Sequence, residues 1–73
     1  MKEVKTLDGV AVEQERIECV AMILSNCSQR RMELLGVHDR FVDYAERFIM
    51  FLTEEELKEF IAHHVCIELL NSI

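Results

Sequence analysis

The reactive side chains of this chain are three histidines and three cysteines, and their spacing decides what they can do. His63-His64-Val65-Cys66, with Cys19, Cys27 and His38 elsewhere, supplies imidazole and thiolate groups of the kind that bind zinc. The spacing argues against a metal. On a helix His63 and His64 diverge by about 100°, no C-x-x-C occurs, and no pair of histidines stands four residues apart. A carboxylate-bridged di-iron site needs E-x-x-H repeats, and no Glu or Asp precedes a histidine by three residues. For nucleophilic catalysis His63 and Cys66 share a helical face at i,i+3, yet a thiol also needs a pocket. No glycine-rich loop is present to cradle phosphate. The cysteines, flanked by aliphatic residues, read as small hydrophobes. The expectation is a protein with no catalytic residues, no cofactor and no metal.

A second constellation is electrostatic. Placed at helical intervals, Arg31 falls in the middle of an apolar stripe made by Ile17, Val20, Ala21, Ile23, Leu24, Cys27, Leu34 and Leu35. Glu68 falls in the middle of another, made by Leu57, Phe60, Ile61, His64 and Val65. Charges there require partners, because an unpaired buried charge is strongly disfavoured. The spacing therefore predicts a buried polar cluster of Arg31, His64 and Glu68, with His64 and Glu68 in contact at i,i+4.

The elements that must position these residues emerge from the same periodicity. Three helices are expected, at about 13–35, 39–52 and 54–72. Gly36 suits the left-handed position that ends the first. The second turns Phe41, Tyr44, Ala45, Phe48, Ile49 and Leu52 inward, with Asp43, Glu46 and Arg47 outward. Thr53, with Glu56 three residues later, forms a capping box that opens the third. Ser25-Asn26-Cys27-Ser28 compete for backbone hydrogen bonds and are the place where the first helix would kink or split. Residues 1–12 form an N-terminal arm or, from the β-branched residues on either side of Asp8-Gly9, a β-hairpin.

The fold class is thus all-α: a small three-helix bundle in one domain of 73 residues, completed by homodimerisation. So short a chain buries a low fraction of its surface and benefits from added burial. Cys66, Leu69, Leu70 and Ile73 form a second apolar surface on the last helix, roughly opposite Leu57, Phe60 and Ile61. Met22 and Met50 each stand alone on a polar face. Met50 with Cys66, Leu69, Leu70 and Ile73 is the expected interface.

Composition limits the partners. The net charge is −6, and residues 37–73 carry three Lys/Arg against eight Asp/Glu. Duplex binding normally needs a basic stripe, so nucleic acid is disfavoured, and Arg30-Arg31 suit a helix C-terminus better than phosphate. No apolar run approaches the roughly 20 residues that span a bilayer. An odd cysteine number and a charged start after Met1 point to reduced thiols and a cytoplasmic setting. The expected function is a small acidic module, of a size found in phage or mobile elements, that binds and modulates another protein as inhibitor or adaptor. The alternatives are an oligomeric sensor or sponge holding a small molecule or nucleotide at the Arg31, His64 and Glu68 interface, and a small transcriptional regulator using Ser28-Gln29-Arg30-Arg31.

Overall fold

The computed structural model describes the backbone of residues 3–71 and the side chains of residues 3–64. The order of elements is β1 (Val4–Lys5), β2 (Ala11–Val12), α1 (Gln14–Ser25), α2 (Gln29–Leu34), α3 (His38–Ile49) and α4 (Glu54–Asn71). The expected second and third helices are present with nearly the expected bounds. The expected first helix is two, so the described residues hold four helices and a two-stranded sheet.

Of the two readings of the N-terminus, the hairpin holds. β1 and β2 pair antiparallel with Val4 opposite Val12 and Lys5 opposite Ala11. Thr6 N–H donates to Val10 O at 2.9 Å, and Gly9 N–H donates back to Thr6 O at 2.9 Å. Gly9 has φ +83°. This is a three-residue loop in which a type I turn leads into a left-handed glycine that bulges the ladder. Thr6 is buried, and its hydroxyl accepts from Val10 N–H at 3.1 Å, the donor that the bulge displaces.

The split of the first helix has a local cause. Asn26 ends α1 in the left-handed region at φ 57°, which asparagine tolerates better than most residues. Ser25 Oγ donates to Met22 O at 3.0 Å and accepts from Cys27 N–H at 3.3 Å, drawing the backbone out of the helical ladder. Ser28 then caps α2, accepting from Arg31 N–H at 3.3 Å. The break changes the angular phase of α2 relative to α1. Met32, outside the expected stripe, becomes fully buried, whereas Leu34 (79% exposed) and Leu35, both expected inside it, face outward. Arg30 and Arg31 become the second and third residues of a six-residue helix rather than the end of a long one.

Gly36 closes α2 as expected. Val37 N–H donates to Met32 O at 3.1 Å and Gly36 N–H to Glu33 O at 3.0 Å, with Gly36 at φ +69°. These are the paired bonds of a Schellman motif. The capping box of α4 also forms: Glu56 N–H donates to Thr53 Oγ1 at 3.2 Å and Thr53 N–H to Glu56 Oε1 at 3.1 Å.

Each of the six elements contributes to the core. Val4 and Val12 cover it from the sheet, with Ile17, Val20 and Ala21 from α1, Met32 from α2, Ala45 and Ile49 from α3, and Leu57 from α4. α1 packs chiefly on α3, and α4 contacts α1 to a lesser extent. Arg16 Nη1 and Glu54 Oε1, 2.8 Å apart, tie α1 to the start of α4. The cover on α4 thins along its length: Leu57 is buried, Phe60 and Ile61 are half-buried, and Ala62, His63 and His64 are exposed. Among the described residues no helix is long and apolar enough to cross a membrane.

A candidate protein-interaction surface on α3 and α4

Among the described side chains, one exposed surface is aromatic. Tyr44 and Phe48, at i and i+4, share one side of α3, and Phe51 in the turn after it lines the same shallow depression. That side is only partly covered. Tyr44 is 60% exposed and Phe51 76% exposed, with Phe48 half-buried between them and the aliphatic stem of Arg47 alongside. The sequence pattern sets Tyr44 inward with the core residues. Its position is about 100° from Ala45, at the margin of the stripe, and it is 60% exposed.

The aromatic line continues onto α4. The rings of Phe48 and Phe60 are 5.0 Å apart and tilted by 55°, and those of Phe60 and His64 are 4.8 Å apart and tilted by 50°. His63 meets His64 edge-on at 4.9 Å. Such separations and angles are the favourable ones for ring quadrupoles. A shallow depression of about 450 Å³ lies beside these rings, edged by Glu56, Glu59 and His63. An aromatic floor with a polar rim is therefore assembled from α3, the turn after it, and α4.

The expected buried polar cluster does not form at the two members that are described. Arg31 and His64 are both exposed. Arg31 leaves the apolar stripe because the break at Asn26 re-phases the chain. His64 stacks on Phe60 at the open end of α4. Glu68, the third member, lies outside the described side chains, as do Cys66, Leu69, Leu70 and Ile73 of the expected interface. Met50, the remaining member of that interface, is 52% exposed in a groove between α3 and β1. Met22 is half-buried against the core rather than isolated.

The other reactive groups are dispersed. Cys19 and Cys27 are half-buried free thiols, and burial pushes the Cys19 thiol above its ordinary range. Cys27 Sγ lies 3.3 Å from Ser25 Oγ, as a donor. His38 Nε2 faces Glu18 Oε1 at 3.6 Å, while its Nδ1 is buried with no hydrogen-bond partner among the described residues. Among those residues no group of three or more His, Cys, Asp or Glu side chains is placed to hold a metal ion.

The hairpin tip carries a contact that sequence reasoning missed. Asp8 Oδ1 accepts from Glu54 N–H at 3.0 Å, capping α4 from across the chain. The Thr6 hydroxyl, hydrogen-bonded to the same oxygen, holds the Asp8 carboxyl below the usual carboxylate range, and the Glu54 amide acts in the same direction. Leu7 N–H donates to Leu52 O at 2.7 Å beside it. These contacts fix the α3–α4 junction, and with it the relative placement of the Phe51 and Phe60 sides of the surface. Comparison with protein-family models, with curated proteins and with solved structures finds no match.

Proposed function

We propose that this chain is a small acidic helical module that binds and modulates another protein, using the aromatic surface of α3 and α4 as its docking face. The observation that carries the reading is the exposure of Tyr44 and Phe51 beside the stacked Phe48, Phe60 and His64. Tyrosine, phenylalanine and arginine are over-represented where proteins meet, and Arg47 borders this face. Large rings are costly to leave in water, and their stiffness means that little conformational entropy is lost when a partner covers them.

Charge narrows the partner. A net charge of −6 on 73 residues, with Glu56 and Glu59 at the rim of the aromatic depression, favours approach by a surface with basic residues around an apolar centre. The role is binding rather than catalysis, acting on the partner by occupying its surface.

The test is affinity capture from the native host with identification by mass spectrometry, run in parallel with the Tyr44→Ser/Phe51→Ser variant. A partner retained by the natural chain and lost by the variant supports the proposal. Equal retention by both, or no specific partner, counts against it.

A further inference from the structure

A different surface, the open edge of β1, carries an inference independent of the aromatic face. In an antiparallel strand, successive residues point their backbone groups to opposite sides. Thr6 N–H bonds to Val10 O at 2.9 Å, and Val4 is opposite Val12, so Val4 and Thr6 address β2. Glu3 and Lys5 consequently address the other side. The next residue on that side, Leu7, is already engaged by Leu52 O at 2.7 Å. The sheet has two strands, so the free edge of β1 within the described residues is the Glu3–Lys5 stretch. It opens on a groove of about 600 Å³ whose far wall is α3, with Asp43, Glu46, Arg47 and Met50.

We propose that this edge pairs with β1 of a second copy of the same chain, about a two-fold axis at Val4, to make a continuous four-stranded antiparallel sheet. Hydrogen-bond direction permits only registers that set outward-facing residues opposite one another: Lys5 on Lys5, Glu3 on Glu3, or Lys5 on Glu3. The first two put like charges in contact, which is unfavourable in cross-strand pairs. The first also sets Glu3 opposite Leu7, whose amide is taken. The third uses every free backbone group of the edge, with Lys5 and Glu3 of the other copy exchanging both bonds, and it places opposite charges side by side twice. Both side chains are exposed, on the strand face opposite buried Val4.

The wall of the groove is self-complementary in the same sense. Two-fold symmetry brings the same patch of α3 from each copy to the seam. There Arg47 stands among Asp43 and Glu46, and half-exposed Met50 supplies an apolar centre. Arg47 borders both this groove and the aromatic face, whereas Tyr44 and Phe51 do not line the groove.

The experiment is sedimentation equilibrium of the full chain and three variants, each checked for native circular dichroism. The natural chain is expected to dimerise in the micromolar range. Lys5→Glu and Glu3→Lys are each expected to weaken the dimer by roughly tenfold or more, since each sets like charges opposite at both symmetry-related positions. The double exchange Glu3→Lys/Lys5→Glu restores the opposite-charge pairs and is expected to recover most of the affinity. A natural chain that stays monomeric at several hundred micromolar overturns the proposal. So does a dimer indifferent to the single changes, or single losses that the double exchange does not repair. None of these results bears on capture through Tyr44 and Phe51.

Discussion

Asp8 and Glu54 are far apart in sequence, yet the Asp8 carboxylate accepts a hydrogen bond from the Glu54 amide at 3.0 Å. The hairpin tip thereby caps the helix that carries Phe60 and His64 of the aromatic surface. Lowering of the Asp8 carboxyl below its ordinary range, by the Thr6 hydroxyl first and the Glu54 amide second, has a defined consequence for stability. A carboxyl with a depressed folded-state value contributes stability that is fully present above its unfolded value, about 3.9, and is lost as pH falls through the folded value. Urea unfolding of the natural chain and of Asp8→Ala should differ clearly at pH 7, with the natural chain the more stable. The difference should close as the pH is lowered below about 4. A gap that persists unchanged at pH 2 would show that the carboxylate is not its source.

Gly9 and Gly36 hold backbone angles of φ +83° and +69°, and a Cβ added at either meets nothing within 4 Å. The cost of a side chain there is therefore conformational rather than steric. Gly9→Ala and Gly36→Ala should each lower stability by about 1 kcal/mol, while Asn26→Gly, at φ 57°, should be neutral or stabilising. Chemical denaturation measures all three. A loss well above that size at Gly9 would place another group in the space beside the loop.

Met32 and Leu34 stand two residues apart on α2 with opposite fates, one fully buried and the other 79% exposed. Met32→Ala should cost about 2–5 kcal/mol, the range for emptying a packed core position. Leu34→Ser should stay within about 0.5 kcal/mol of the natural chain, as surface changes usually do. Comparable losses at the two positions would mean that α2 does not pack in this phase.

That pair also marks where the fold is legible from sequence and where it is not. The Asp8-Gly9 turn, the Gly36 terminus and the Thr53/Glu56 box are written in residues close together in the chain, and each forms as its local chemistry requires. The burial of Met32 depends on an angular reset at Asn26 that periodicity alone extends straight through. A Ser-Asn-Cys-Ser run signals the break but not the new phase, so helical spacing sets Arg31 inside a stripe that ends before it. Tyr44 shows the other limit. Its spacing puts it beside the core residues, and only the arrangement of elements leaves it 60% exposed. The Asp8 cap on α4 is invisible in the sequence because its partners are joined by the fold rather than by neighbouring residues.

The reading of this chain as a protein-interaction module rests most directly on Tyr44 and Phe51. The decisive measurement is calorimetric titration of the captured partner with the natural chain, with Tyr44→Ser/Phe51→Ser, and with Leu34→Ser/Leu35→Ser as a control on an exposed apolar pair elsewhere. Loss of two anchoring aromatic rings should weaken binding by tenfold or more, on the order of 2 kcal/mol, while the α2 control retains the natural affinity. An aromatic variant that binds as tightly as the natural chain, or a control that loses as much, would contradict the assignment of the docking face to α3 and α4.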